Sequence, residues 1–243
     1  MGVCGVLEQR SSQLEFLDEL DFCGEFAEKS YNFMESINYF FGGTRVVRTL
    51  IEEKFSKENH SRNLKILDIG AGTCDVPLAI LKWSQKHKWK IEYTCLEQNE
   101  KALELARRKI QNAKCNSIKL LNINVFKYQP DEIYDFAVGS MFFHHLKDNE
   151  ILLLIDYLRN YVKEGVLIND LQRSVINYFG GWLLTAMIAG QVRHDALLSI
   201  RRGFQAEELF VLLSRLKGVS VKVWTAWFCR TVALIKFEKG VIA

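Results

Sequence analysis

The chain has 243 residues, 49% of them hydrophobic and 25% charged, with a formal net charge of +3. That length suits one α/β domain of above-average size. So small a charge, with no basic tail or block, leaves no electrostatic footprint for nucleic acid. Only Pro77 and Pro130 interrupt the backbone as prolines, so no proline-rich linker divides the chain. The six cysteines (Cys4, Cys23, Cys74, Cys95, Cys115 and Cys229) form no C-x-x-C pair and have no histidine at ligand spacing, so no metal site is expected. Free thiols in apolar runs, such as Cys95, point to a reducing, cytoplasmic setting.

The N-terminus, Met1-Gly2-Val3-Cys4, lacks the Ser or Thr at position 6 that myristoylation requires, because Val6 stands there. Glu15 to Asp21 is acidic and has no signal-peptide core. The first sixty residues read as a helical cap. Leu14, Leu17 and Leu20, then Phe33, Ile37 and Phe40, recur at three- and four-residue spacing. Gly42-Gly43 breaks the run, and Thr44 can cap the next helix through Phe55.

Strands and helices then alternate. Leu64–Ile69, Ile91–Leu96, Ile118–Ile123, Tyr134–Val138 and the run from Val166 to Asp170 read as strands. Asp75 to about Lys86, Glu100–Ile110 and Ile151–Tyr161 read as helices, with Pro77 tolerated in a first turn. This alternation predicts a Rossmann-like α/β sheet of parallel strands with helices on both faces. Val175 to Val192 is apolar but marginal in length for a membrane span. It contains Asn177, Gly180, Gly181, Thr185, Gly190 and Gln191, so it reads as a helix lining an apolar pocket. No stable membrane insertion is expected, and peripheral contact is left open. Glu207–Leu216 is helical, and Val219–Trp227 with Cys229–Phe237 predicts an antiparallel hairpin that completes seven strands. The expected organisation is one domain: a cap over 1–60, a core of 61–173 and 205–238, and a lid or substrate segment over 174–204.

Chemistry concentrates in Ile66-Leu67-Asp68-Ile69-Gly70-Ala71-Gly72-Thr73-Cys74-Asp75. Glycines between a strand and a helix let the backbone turn sharply and a ligand lie against it. Glu97 ends the next strand, about twenty-five residues on, where a carboxylate can accept both hydroxyls of a ribose. The third glycine of the dinucleotide fingerprint is replaced by Asp75. Asp68, Asp75 and Glu97 around one turn would repel a pyrophosphate and attract a sulfonium and an ammonium. The charge pattern therefore favours S-adenosylmethionine (SAM) over NAD.

Leu64 to Ile80 resembles the first motif of the class I SAM-dependent methyltransferases, and Glu97 is similar to the acidic residue of their second. Asp135 to Leu146, which includes Gly139-Ser140-Met141-Phe142-Phe143-His144-His145, resembles their fourth motif in its small-molecule form. Val166 to Leu171 is similar to the strand and loop that follow. The resemblance spans roughly Leu64 to Phe237 and lies nearest the quinone-type and natural-product branches. It implies that Gly70, Ala71 and Gly72 lie along the methionine portion, that Glu97 binds ribose, and that Gln98 flanks the adenine; Asp68, Thr73 and Asp75 are the further candidate cofactor contacts. It also implies that Ser140 and Met141 present backbone near the amino group. Asn124, followed by Val125, stands where the family usually has an acid; its amide oxygen can still accept a hydrogen bond.

Methyl transfer from a sulfonium is an in-line displacement that needs alignment and dryness, and a phenol or enol also profits from a base. His144 and His145 are the candidate bases, because histidine can titrate near neutrality. Arg193-His194-Asp195 with Ser199, Arg201 and Arg202 reads either as a cationic, imidazole-bearing face on a substrate pocket or as a solvated loop with a buried Asp195–Arg pair. Trp182, Arg193, His194 and Arg202 are the candidate substrate contacts. The expected acceptor is a small apolar molecule, such as a polyketide, quinone precursor or lipid-like phenol, methylated on oxygen. Carbon or nitrogen methylation shares the scaffold. An NAD-type oxidoreductase, a macromolecular methyltransferase and a silent binding protein are weaker readings. Against the macromolecular one, no Asn/Asp-Pro-Pro-aromatic sequence follows the fourth strand. Oligomeric state is not legible.

Overall fold

The computed structural model describes residues 7–18, 25–57, 63–188, 190–226 and 229–238. Leu20, Cys4, Cys23, the polar stretch 58–62 and Trp227 lie outside the described residues. Among the described residues, eight α-helices and seven strands follow in order: α1 (Glu25–Phe40), α2 (Gly43–Lys57), β1 (Asn63–Ile69), α3 (Asp75–Lys86), β2 (Lys90–Glu97), α4 (Glu100–Asn112), β3 (Ile118–Asn122) and β4 (Tyr134–Ser140). Then come α5 (Asp148–Leu158), β5 (Val162–Leu171), α6 (Val175–Leu184), α7 (Gln191–Arg202), α8 (Ala206–Leu213), β6 (Val219–Ala226) and β7 (Arg230–Phe237).

The sheet runs β3-β2-β1-β4-β5-β7-β6. β1 to β5 are parallel, and β7 enters antiparallel between β5 and β6. The expected hairpin and Rossmann-like sheet are thus observed. Alternation along each strand builds two cores. Leu67, Ala137, Val166, Ile168 and Ala233 pack with α5 and α8 on one face. Ile66, Phe136, Val138, Leu167 and Val232 pack with α2 and α3 on the other. Strand order reverses between β1 and β4, and the loops leaving those two carboxyl ends form the crevice where ligands bind in open α/β sheets.

The helical reading fails at the front of the chain. Residues 7–15 are irregular, and only Phe16–Asp18 forms a single 3-10 turn. Tertiary pairing overrides the leucine spacing here. Arg10 donates to the carbonyls of Arg202 (3.0 Å) and Leu146 (2.9 Å) and lies 4.2 Å over the Phe204 ring. Arg173, fully buried, donates to the Leu7 carbonyl at 3.0 Å and pairs with Glu208. Asp195 accepts the backbone N–H groups of Phe16 (3.0 Å) and Leu17 (3.1 Å). These bonds hold residues 7–18 as a strap across the crevice. Among the described residues no helix is long and apolar enough to cross a membrane.

Candidate active site

The turn after β1 needs glycine at two points. Gly70 and Gly72 have φ of +65° and +53°. A Cβ on Gly70 would come 2.3 Å from the Phe142 ring, whereas at Gly72 it would meet nothing within 4 Å. The backbone at Gly72 is therefore open to whatever fills the crevice. Glu97, at the end of β2, holds this turn: one carboxylate oxygen accepts the Gly72 N–H (2.9 Å), the other those of Gln98 and Asn99 (2.8 Å each). Asn124 ties in the next loop, donating to the Gln98 side chain at 2.8 Å and accepting from Phe126 N–H at 2.9 Å.

A cavity of about 290 Å³ opens at this point. Gly70, Gly72, Glu97, Gln98, Asn124, Val125 and Met141 line it, as do both histidines and Arg202. Asp68, Ala71, Thr73, Asp75 and Ser140 do not; they stand behind the wall. Thr73 accepts from Lys109 at 2.9 Å, Asp75 accepts from Asn38 at 3.0 Å, and Ser140 accepts from the Asn169 amide at 3.0 Å. Ala71 N–H is used by the Leu96 carbonyl and Met141 N–H by the Asn169 carbonyl, both at 3.0 Å. Burial, then the charges of Asp75 and Glu97, push the Asp68 carboxyl well above its usual range. Burial also raises Asp75, against the bond from Asn38. Asp68 thus feels the other two carboxylates.

The two histidines differ. His144 is buried, with Nδ1 2.7 Å from Asp170 Oδ1 and its backbone N–H donating to Asp170 Oδ2 at 3.0 Å. Burial opposes its charge, but Asp170 and then Glu15 outweigh that and hold the imidazolium up to about 9. His145 is partly exposed, and its Nδ1 lies 2.5 Å from Asp18 Oδ1. Asp18 also pairs with Arg202. Burial raises Asp18, yet the bonds from His145 and Arg202 pull it well below the usual carboxylate range. Among the described residues Glu15, His144 and His145 bring one potential ligand atom each within 4.8 Å of one another.

A second cavity of about 70 Å³ adjoins the first, sharing Glu15, Leu17, Met34, Met141 and Ser199 with it. Its other walls are mostly apolar: Phe33 and Ile37 of α1, Leu184 of α6, and Val192, Ala196 and Ile200 of α7. Residues of the segment 174–204 thus line a pocket beside the crevice. Trp182, Arg193 and His194 line neither cavity. Trp182 is 44% exposed, stacks on Phe179 and carries the Arg193 guanidinium at 5.6 Å. His194 stands edge-on to Phe16. All three sit on the outward side because the small and aliphatic residues of α6 and α7 take the inner one. Asp195 is buried, but on a helix and bonded to the strap, not paired with an arginine in a loop.

Sequence reasoning missed Glu15, Asp18, Tyr31 and Met34, which reach the first cavity from the cap. Glu15 and Asp18 were marked by the acidic run Glu15 to Asp21, and Tyr31 and Met34 by the likeness of Tyr31 to Gly43 to the helix before the core in quinone-type methyltransferases.

Residues 66–165 match the family model described as a methyltransferase domain. No curated protein matches the chain. Solved structures of similar fold include the plantazolicin methyltransferase BpumL in complex with a triazolic desmethylPZN analog and SAH. It is 14% identical, with 92% of this chain and 93% of that one covered and a TM-score of 0.66. Magnesium protoporphyrin IX methyltransferase (ChlM) from Synechocystis PCC 6803 with bound SAH is 12% identical, with 90% of each chain covered and a TM-score of 0.56. A SAM-dependent methyltransferase from Aquifex aeolicus is 16% identical, with 76% of this chain and 88% of that one covered and a TM-score of 0.54.

Proposed function

We propose that this chain is a SAM-dependent methyltransferase that methylates a hydroxyl of a small apolar acceptor. The observation that carries the reading is the junction of the two cavities. A crevice built on Gly72 and Glu97 shares the walls formed by Glu15, Leu17, Met34, Met141 and Ser199 with an apolar pocket beside it. The residues present fit the cofactor. The open backbone at Gly72 leaves room for the methionine portion, Glu97 can exchange backbone partners for ribose hydroxyls, and a sulfonium or ammonium beside the turn would offset the burial that raises the Asp68 and Asp75 carboxyls. When bound, SAM supplies an electrophilic methyl group on a sulfonium.

The protein's own residues do the rest. Gln98, Asn124 and Val125 flank the adenine end, and Met141 bounds the methionine end. Asp18 is ionised and so only accepts; the proton between it and His145 therefore sits on Nδ1. That leaves His145 Nε2 as the atom able to take a proton from an acceptor hydroxyl. His144, held as a cation by Asp170, positions the loop and is not the base. The strap 7–18 and the lid 174–204 exclude water from the transferring methyl, and Arg202 fixes Asp18. The exposed Ile176, Phe179 and Leu183 on α6 leave peripheral contact with an apolar surface open. In SAH-release assays, a panel of apolar phenols should turn over where matched amines and enolisable carbon acids do not. Turnover of the amines alone would replace the oxygen reading with nitrogen methylation.

A further inference from the structure

Glu15 is 2% exposed and lines both cavities, so it stands at the junction where an acceptor must present itself. Its Oε2 accepts the Ser199 hydroxyl at 2.8 Å, but its Oε1 makes no hydrogen bond. His144 Nε2, also buried, makes none either. The two atoms are 3.5 Å apart, an ion-pair separation too long for a good hydrogen bond. Arg202 Nη1 is 3.5 Å from the same oxygen. Ser30 Oγ, 3% exposed and without a hydrogen bond, lines the apolar pocket as well. Buried polar atoms of this kind are normally satisfied, so two that face each other at a substrate junction ask for a third group.

We infer that Glu15 and His144 form a recognition subsite for an acceptor hydroxyl other than the one methylated, with Glu15 the specificity-determining residue. This rests on the methyltransferase reading and adds to it. An oxygen about 2.8 Å from each of two atoms 3.5 Å apart has ordinary hydrogen-bond geometry, and because both atoms are closed to solvent the side chains must part slightly to admit it. His144 gives its Nδ1 side to Asp170, and as a cation it carries a proton on Nε2 to donate. Burial raises Glu15, but the ion pairs with His144 and Arg202 work against it and favour the anion, which only accepts. The missing group must donate and accept at once, which a hydroxyl does. A carbonyl has no proton for Glu15, and an ammonium has no lone pair for His144. A divalent cation is disfavoured by the Arg202 guanidinium beside the same oxygen and by the commitment of His145 Nδ1 to Asp18.

Calorimetry on SAH-loaded protein tests this with 4-butylphenol, 4-butylbenzaldehyde and butylbenzene as probes. The phenol should bind at least tenfold more tightly than the other two. Glu15→Leu should bring the three within about twofold, with butylbenzene unchanged. Glu15→Gln, which keeps the shape and the Ser199 contact, should lower the phenol preference several-fold and serves where the leucine variant does not fold. Equal affinities in the wild type, or a preference that survives a folded Glu15 variant, would overturn the assignment. So would stoichiometric cobalt(II) binding that is lost with Glu15. Failure of the wild type to bind SAH would instead sink the methyltransferase reading.

Discussion

His144 Nδ1 sits 2.7 Å from Asp170 Oδ1, and the other oxygen of Asp170 takes the His144 backbone N–H at 3.0 Å. The end of β5 is thereby clamped to the loop after β4. His144 is held up to about 9 from 6.5, so its contribution is full below 6.5 and lost as pH rises through 9. Asp170 is held below 3.8 by His144 despite burial, so its contribution is present above 3.8 and lost as pH falls through the lower value. The clamp is strongest from roughly pH 4 to 6.5. Removing it should cost on the order of 3 kcal/mol there. Urea midpoints of wild type and Asp170→Asn at pH 6 and pH 9.5 test this: the gap should narrow at the higher pH, and an unchanged gap would contradict it.

Glu97 serves the turn and the cofactor together. Glu97→Ala should weaken SAH binding roughly tenfold to a hundredfold, since bonds to a charged group are worth about 1.5–3 kcal/mol. Glu97→Gln keeps an acceptor for Gly72 N–H and should lose less. Calorimetric affinities equal to wild type in folded Glu97→Ala would place the ribose elsewhere.

For the proposed base, His145→Ala should lower turnover by about 10²–10⁴. Asp18→Asn should act in the same direction more mildly, because it removes the partner that fixes the proton on Nδ1. SAH affinity should stay within a few-fold of wild type in both. Turnover retained in His145→Ala would mean that alignment alone suffices.

The glycine turn, Glu97, the strand order and the terminal hairpin were legible because each is a local pattern: a strand ending in Gly-Ala-Gly, an acid at the next strand end, two β-branched runs in succession. The inner wall of the site was not. Glu15 and Asp18 reach the crevice only because Arg10, Arg173 and Asp195, distant in sequence, pin the strap. The leucine spacing of the strap mimics a helix that these bonds prevent. Trp182 drew attention by its size, yet the pocket is lined by the smaller Ala196 and Thr185, which no periodicity marks.

That difference makes a prediction about the lid. Ala196→Phe should fill the apolar pocket and reduce acceptor affinity more than tenfold while sparing SAH. Trp182→Ala, on the outward side, should change acceptor affinity by less than about threefold; each bound rests on the tenfold-per-1.4 kcal/mol scale. Isothermal titration of both variants with the same acceptor checks the contrast, and the opposite ranking would return Trp182 to the pocket.

The most direct test of the account is calorimetric titration of the wild-type protein with SAM, SAH and NAD under one set of conditions. Asp68, Asp75 and Glu97 around the Gly70–Gly72 turn predict saturable binding of SAM and SAH and none of NAD. NAD binding, with no heat from SAM or SAH, would contradict it.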